Sequence, residues 1–204
     1  MILKEILLFF ALKYDGDFQS ILKALQRKEK VTNQQREEAV SKVQSKYTTI
    51  LCDDYPEALK QISCPPFVLF YHGNLSLLDE KCIGVIGKRV PSEYGTSVTD
   101  KIVCDLVKNE YTIVSGMALG IDTLAHRSAM NNHGKTVAVL GSGINYRYPK
   151  RNRELYLKLK EEHLIVSEHP NDYVPQAKDF PSRNRLIAGL SESIPRAIPL
   201  TIVY

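Results

Sequence analysis

Residues 111–126, "YTIVSGMALGIDTLAH", decide the fold class of this chain. The stretch opens with a continuous apolar run, passes through Gly116 and Gly120, and continues with apolar residues at helical spacing. A strand that is apolar without alternation is buried on both faces, as the strands of a parallel sheet are. The stretch therefore predicts a buried parallel strand that turns through a glycine-containing loop into a helix.

The same pattern repeats along most of the chain. The other predicted strands are "PPFVLFYHGN" (65–74), "KCIGVIG" (81–87), "KTVAVLGSG" (135–143) and "HLIVSE" (163–168). Predicted helices occupy residues 92–109, 120–132, 152–162 and 183–191. Alternating strands and helices joined by short links indicate an α/β protein with a Rossmann-like, doubly wound, mostly parallel sheet.

The beginning of the chain has a different pattern. Apolar residues recur at helical spacing in "EILLFFALK" and "FQSILKALQRK", and no parallel-strand pattern appears before residue 63. We predict that residues 1 to about 63 are helical and that residues 1–54 form a small helical domain. The apolar run at residues 6–12 is short, follows Glu5 and has no small-residue cleavage site after it, so it is predicted as a core helix rather than a signal peptide.

The composition is that of a globular protein, and its mild basic balance is compatible with an anionic partner without proving one. Of its 204 residues, 44% are hydrophobic and 25% are charged, and no apolar run is long enough to span a membrane. The formal net charge is +4, and the stretch from Arg147 to Lys160 contains six Lys or Arg and one acid. The four cysteines form no C-x-x-C pair, which argues against a zinc site and predicts reduced thiols in a cytoplasmic protein.

Each of three predicted strands leads into a glycine at the same edge of the sheet. The loops are "IGKRVPS", "SGMALGID" and "GSGINYRYPK". Ligands of open parallel sheets bind outside the carboxyl ends of the strands, and backbone N–H groups there favour anions. We expect the three loops to form one crevice, to which Lys88 and Arg89 add charge and Ser115 and Ser142 add hydroxyl donors.

The pattern favours a nucleic acid over a nucleotide cofactor as the anion. "GSGINY" lacks the last glycine of a dinucleotide fingerprint, "GMALG" has the wrong spacing, and no Walker A motif is present. Basic residues are instead interleaved with aromatic ones in "NYRYPKRNR" and "AKDFPSRNR". Cations for phosphates and ring faces for unstacked bases are what single strands require. We predict no cofactor, no metal and no catalytic residue.

Each of these features also has a structural explanation. The glycines fit tight turns between strand and helix, the basic run fits a solvated helix face, and Tyr146 and Tyr148 fit simple packing. Asp122 and His126, four residues apart on a predicted helix, fit a structural pair or cap better than an acid–base couple. Ser115 lies outside a G-x-S-x-G motif, which argues against a nucleophile.

Five sequence blocks in order resemble the DNA-processing family DprA, also called Smf. The blocks are "IGVIGKRVPSEYG", "SGMALGIDTLAH", "VAVLGSGINYRYPKRN", "SEHP" and "FPSRNRLIAGLS", and the resemblance covers residues 55–191. It implies a Rossmann-like domain that binds single-stranded DNA, protects it and helps to load RecA during natural transformation, without catalysis. RecA and a second copy of the chain are the implied protein partners.

The resemblance also implies site residues. The first-loop arginine of the family corresponds to Arg89, the basic residue after "YP" to Lys150, and the basic and aromatic residues before "RNR" to Lys178 and Phe180. Arg183 and Arg185 fit the same edge of the crevice. The predicted DNA-binding residues are Gly87, Lys88, Arg89, Ser115, Gly116, Gly141, Ser142, Gly143, Lys150, Arg151, Lys178, Phe180, Arg183 and Arg185.

The chain departs from the family pattern at Lys88, where a small residue is usual, and after residue 191. Pro195 and Pro199 argue against a central strand in the tail 192–204, because proline removes a ladder donor, and only "LTIVY" has the propensity for an edge strand. We expect a C-terminally truncated domain, explained by a shifted reading frame or a truncated gene. The alternatives are an inactive remnant of such a protein and a Rossmann-like nucleotide-processing hydrolase, whose Pro-Gly-Gly loop is not found in the sequence.

Overall fold

The computed structural model of the chain describes residues 2–192 and the backbone of residues 201–203. Three helices come first: α1 (Ile2–Lys13), α2 (Phe18–Gln26) and α3 (Asn33–Lys42). Strand β1 (Lys46–Thr49), helix α4 (Glu57–Lys60) and strand β2 (Val68–Gly73) follow. The alternating part comprises β3 (Cys82–Gly87), α5 (Glu93–Lys108), β4 (Thr112–Ser115), α6 (Ile121–Asn131), β5 (Thr136–Leu140), α7 (Arg153–Glu162), β6 (Leu164–Ser167), α8 (Asp179–Leu190) and β7 (Thr201–Val203).

The strands form one sheet in the order β1-β2-β6-β5-β4-β3-β7. The pairs β7–β3, β3–β4, β4–β5 and β5–β6 are parallel. Strand β2 pairs antiparallel with both β1 and β6. The predicted Rossmann-like, mostly parallel sheet is therefore confirmed. The strand at residues 65–74 is correctly predicted, but its pairing is antiparallel.

Strand β5 shows why these strands lack alternation. Its Val137 and Val139 pack on one face of the sheet in a cluster with Leu186 of α8. Its Ala138 and Leu140 pack on the other face in the cluster that contains α1 and α7. Because side chains alternate across a strand and both faces carry helices, every position of β5 is apolar or buried.

The N-terminal helices share a core with the sheet. Leu8 and Phe10 of α1 lie in one cluster with Phe70 of β2 and Ile165 of β6. Asp17 caps α2 by accepting from the backbone N–H of Ser20 at 2.9 Å, so a local signal sets where that helix begins.

The prediction of helix through residue 63 is wrong at β1, which lies inside the predicted domain 1–54. Lys46–Thr49 pairs with β2, with Lys46 opposite Tyr71. The sequence "KYTT" is rich in β-branched and aromatic residues, which favour strands. The fully buried hydroxyl of Thr48 donates to Asp54 at 2.5 Å, so the sheet position leaves no polar group unpaired there. The boundary at residue 54 stays a prediction.

The tail is described only in part. The prediction about Pro195 and Pro199 lies outside the described residues. Strand β7 pairs in parallel with β3, with Val85 opposite Thr201, and occupies an edge of the sheet. The edge position predicted for "LTIVY" is confirmed for these three residues. Among the described residues, no helix combines the length and the apolarity needed to cross a membrane.

Candidate nucleic-acid interface

The loops after β3, β4 and β5 meet in one cleft. The loop after β4 contributes Gly116 to Leu119, the loop after β5 contributes Gly141 and Ser142, and helix α8 contributes Phe180 and Arg183. Arg89 lines the cleft from the loop after β3. The expected convergence of three glycine-containing loops at one sheet edge is therefore present.

Aromatic rings and one guanidinium group form the wall of this cleft. The guanidinium carbon of Arg89 lies 5.6 Å from the ring centre of Phe180, a cation–π distance. The Phe180 ring centre lies 5.7 Å from that of Tyr148, which lies 6.4 Å from that of Tyr146. We call the three rings the aromatic row. Residues from three distant parts of the sequence thus form one surface.

Arg89 is exposed, and within residues 2–192 it takes part in no salt bridge. An unpaired guanidinium beside ring faces can bind a phosphate group through two parallel hydrogen bonds. Tyr148 is 44% exposed, so part of its ring remains free to stack. The cleft therefore offers a cation and an aromatic face side by side.

Two contacts hold the loops in register. Gly120 has φ +80°, and a Cβ atom there would lie 2.2 Å from the carbonyl oxygen of Lys88, so only glycine fits. The backbone N–H of Ile121 donates to the same oxygen at 3.1 Å. The side-chain amide of Asn152, which is 2% exposed, donates to the Met117 carbonyl at 2.9 Å and to the Thr123 hydroxyl at 2.8 Å.

Arg183 lines the predicted cleft, but as a buried residue and not as an exposed cation at its edge. It is 4% exposed, and its guanidinium donates to the carbonyl of Gly116 at 2.5 Å and to that of Val139. A Cβ atom at Gly116 would collide with that guanidinium, so the glycine makes room for the arginine. Arg183 therefore joins the ends of β4 and β5 beneath the cleft and does not stand at its edge.

Arg185, unlike Arg183, does not line the cleft, which corrects the prediction that the two share its edge. It lines a second groove, between the α1–α2 loop and the start of α8, together with Lys178. Its guanidinium binds Glu168 through two hydrogen bonds of 3.1 and 2.5 Å, and Glu168 is 5% exposed. Helix positions two residues apart project to nearly opposite sides, so the two arginines of the "RNR" motif lie on different surfaces.

The predicted hydroxyl donors are already engaged within the protein. Ser115 is fully buried and donates to the Val85 carbonyl at 2.6 Å. Ser142 lines the cleft, but its hydroxyl donates to the Tyr146 carbonyl at 3.2 Å. A Cβ atom at Gly143 would lie 2.3 Å from the backbone nitrogen of Tyr173, so this glycine serves packing. The structural explanation holds for Ser115 and Gly143.

Of the remaining predicted residues, Gly141 lines the cleft and the others lie beside it. Gly87 and Lys88 line a neighbouring depression that shares Arg89 and Phe180 with it. Lys150 and Arg151 are exposed in a short 3-10 helix that follows Pro149, a residue of the cleft wall. Gly141 packs against Phe180, since a Cβ atom there would lie 3.2 Å from its ring.

Asp122 and His126 form no pair with each other. The carboxylate of Asp122 accepts from the backbone N–H of Ala118 at 3.2 Å, so it ties the preceding loop to the first turn of α6 and does not cap the helix. Burial lowers the pKa of His126 to about 3, and its Nδ1 lies 2.7 Å from the Thr136 hydroxyl. His126 is therefore a neutral core residue.

Sequence reasoning missed two buried polar residues that shape the cleft. Asn152 gives no local signal, because its partners Met117 and Thr123 are remote in sequence. Asp179 accepts from the Tyr173 hydroxyl at 2.9 Å and from the Gln176 N–H at 2.6 Å, and so fixes the turn that presents Phe180. An aspartate in the first turn of a helix is the one signal that could have indicated it.

Residues 46–195 match the model of the family described as DNA recombination-mediator protein A. The chain belongs to this family. The resemblance to DprA/Smf is thereby confirmed, and the family relationship covers the whole cleft described above.

Individual relatives agree with the assignment to the recombination-mediator family. The chain is 44% identical over 146 residues to the DNA processing protein DprA of Streptococcus pneumoniae, covering 72% of this chain and 51% of that protein. It is 44% identical over 145 residues to Protein Smf of Synechocystis, covering 69% of this chain and 36% of that one. The chain therefore spans between about a third and a half of these relatives.

Two solved structures of family members share the fold. The X-ray structure of Streptococcus pneumoniae DprA superposes with a TM-score of 0.74 at 35% identity, over 93% of this chain and 69% of that one. A structure of DNA processing protein A from Helicobacter pylori, described for its single-stranded DNA binding mode, superposes with a TM-score of 0.65 at 32% identity. The superposition covers 72% of this chain and 67% of that one.

Proposed function

We propose that this chain binds single-stranded DNA in the cleft at the ends of β3, β4 and β5. The observation that carries the proposal is the unpaired Arg89 guanidinium held against the aromatic row. The cation would take a phosphate group and a ring face would take an unstacked base. The single-strand binding mode of the Helicobacter pylori relative supports this choice of ligand.

The aromatic row favours a single strand over a duplex. The rings of Phe180 and Tyr148 line the cleft and can stack only on bases that are already unstacked. Paired DNA keeps its bases stacked on one another, so it cannot use these ring faces.

Exposed cations around the cleft extend the proposed interface. Lys88 lies next to Arg89, and Lys150 and Arg151 follow the cleft wall at Pro149. Lys178, two residues before Phe180, is exposed and lines the neighbouring groove that contains Arg185. In this proposal Lys88, Lys150 and Arg151 bind phosphates beside the cleft, Lys178 binds one where the strand leaves the cleft past Phe180, and the affinity depends on salt.

The proposed role is binding without catalysis, cofactor or metal, in the cytoplasm. The chain would protect incoming single strands and help to load RecA during natural transformation, as a monomer or a homodimer. The RecA step is tested by measuring the DNA-dependent ATPase activity of RecA, which reports its assembly on single-stranded DNA, with and without the chain. Light scattering on the purified chain tests self-association.

The DNA-binding proposal is tested by fluorescence anisotropy with a labelled single-stranded 20-mer and the matching duplex. We expect the chain to prefer the single strand, with an affinity that falls steeply as salt increases, with a logarithmic slope of about −0.7 for each phosphate bound. Equal affinity for both, or no binding by protein whose circular dichroism shows the folded α/β state, would overturn the proposal.

A further inference from the structure

The loop between β6 and α8, residues 168–178, lies between the N-terminal helices and the cleft. On one side it contacts the α1–α2 loop, where Nδ1 of His169 lies 2.6 Å from the carbonyl oxygen of Asp15. Because a carbonyl group only accepts, Nδ1 carries the proton and donates. His169 is buried, so this hydrogen bond is largely shielded from water.

Gly16 brings the backbones of the same two loops into direct contact. It has φ +79°, and a Cβ atom there would lie 2.0 Å from the carbonyl oxygen of Glu168. A side chain at this position would strain the backbone and push the α1–α2 loop away from Glu168. The N-terminal helices are therefore fixed to the β6–α8 loop at two consecutive residues, Glu168 and His169.

On its other side, the β6–α8 loop holds the loop that carries two rings of the aromatic row. Three backbone hydrogen bonds of 2.9, 3.2 and 2.8 Å join the two loops, from the N–H groups of Gly143, Ile144 and Asn145 to the carbonyl groups of Tyr173, His169 and Asn171, respectively. Tyr146 follows these donors directly in the sequence, and Tyr148 lies two residues further on. The β6–α8 loop thus fixes the backbone from which both rings project.

Tyr173 connects His169 to the turn that presents Phe180. The rings of His169 and Tyr173 are stacked, with centres 4.4 Å apart and planes inclined by 17°. The Tyr173 hydroxyl donates to Asp179 at 2.9 Å, and Asp179 also accepts from the Gln176 N–H at 2.6 Å. Asp179 is buried and immediately precedes Phe180. A continuous series of contacts therefore runs from the α1–α2 loop to Phe180.

We propose that the N-terminal helices position the aromatic row, and that His169 and Tyr173 are the positioning residues. Both line the groove beside the cleft rather than the cleft itself, so they act through the rings and not on the ligand. Rings that are fixed before a base arrives lose less conformational freedom on binding. Only the consequence for DNA affinity rests on the proposed function. The ordering of the first turn of α8 can be measured without DNA.

The experiment compares Gly16→Ala with Gly73→Ala, which introduces a matched strain elsewhere. Gly73 has φ +95°, and its Cβ position lies 2.0 Å from the carbonyl oxygen of His163. It pairs with Leu164, the first residue of β6, and so lies at the end of the sheet opposite the cleft. Both variants are expected to lower the thermal midpoint. In the chain without DNA, we expect only Gly16→Ala to speed amide hydrogen exchange at residues 176–182, by about tenfold, measured by mass spectrometry.

Single-strand affinity is the second measurement. Gly16→Ala should weaken binding of the 20-mer roughly fivefold, and Gly73→Ala by less than about twofold. Equal exchange at residues 176–182 in the two variants would overturn the proposal, and so would faster exchange with unchanged affinity. If the unchanged chain does not bind the 20-mer, the proposed function fails and the exchange measurement alone decides the role of the N-terminal helices.

Tyr173→Phe decides if Gly16→Ala does not fold. It removes only the hydroxyl that donates to Asp179, and it should speed the same exchange and weaken single-strand affinity about threefold. Thr112→Val is the matched control, because it removes a hydroxyl that donates to Glu80 at 2.8 Å in the groove at the opposite sheet edge. In a chain that carries Phe180→Leu, Tyr173→Phe should no longer change the affinity. An equal loss with and without the Phe180 ring would overturn the positioning role.

Discussion

The cleft between the strand ends and the groove beside the α1–α2 loop contain similar residue types but present different charges. In the cleft, Arg89 is unpaired and lies against Phe180. In the groove, Arg185 is held by Glu168, and Asp15 and Asp17 line the opposite side. Helix α8 contributes to both surfaces, with Phe180 in the cleft and Arg185 in the groove. A cation contributes to phosphate binding only where no carboxylate already holds it.

The largest effect is expected at Arg183, which lies beneath the cleft. Arg183→Leu removes the donors to the buried Gly116 and Val139 carbonyls. We expect the free energy of unfolding to fall by about 2–6 kcal/mol, measured by urea denaturation, because two buried acceptors are left without a partner. Arg127→Leu, on the exposed face of α6, is the control. Unchanged stability with lost DNA binding would instead make Arg183 a ligand residue.

Arg89→Ala is expected to have the next largest effect, on binding rather than on stability. Loss of a charge-assisted bond of about 1.5–3 kcal/mol weakens single-strand affinity roughly 10- to 100-fold. The exposed position predicts a change in unfolding free energy within about 0.5 kcal/mol. Anisotropy over a salt series measures both the affinity and the slope. Arg127→Ala is the control for the loss of one positive charge. We expect it to bind the single strand with the affinity of the unchanged chain.

A smaller effect is expected at Tyr148 in the aromatic row. Tyr148→Leu removes a ring face worth about 1 kcal/mol, the low end for base stacking, because 44% of the residue is exposed. Single-strand affinity should fall roughly fivefold with an unchanged salt slope, since no cation is lost. Tyr111→Leu, in the groove at the opposite sheet edge, is the control. A changed slope would show that Tyr148 acts by positioning cations.

The smallest effect on DNA binding is expected at Arg185. Arg185→Gln should change single-strand affinity by less than about twofold, because Glu168 already neutralises the guanidinium. The free energy of unfolding should fall by about 1 kcal/mol, because the buried Glu168 loses its partner. Anisotropy and urea denaturation measure the two quantities. An affinity loss as large as that of Arg89→Ala would erase the distinction between cleft and groove.

The sequence predicted the sheet but not the partners of its charged residues. The runs at 111–116 and 135–143 are continuous and apolar because both sheet faces are covered, so composition alone indicates β4 and β5. Strand β1 was missed because "KYTT" follows three helices and pairs with a strand 22 residues later. The glycines after β3, β4 and β5 placed the cleft correctly.

Long-range contacts explain why the site list needed correction. Arg183 and its partner Gly116 are 67 residues apart, and Ser115 and Val85 are 30 residues apart. Arg185 and Glu168 are 17 residues apart, on separate elements. No local pattern shows which cation is paired or which hydroxyl is used, because that depends on how the elements pack. Arg89 contacts Phe180, 91 residues later, but no carboxylate pairs with it among residues 2–192.

Phe180 offers a direct way to observe the cleft in solution. The chain contains no tryptophan, so Phe180→Trp would introduce its single indole fluorophore. The indole would stand between the Arg89 guanidinium and the Tyr148 ring, where an arriving base must change its surroundings. The position therefore gives spectroscopy an intrinsic probe, and ligand arrival can be timed by stopped flow without a dye on either molecule.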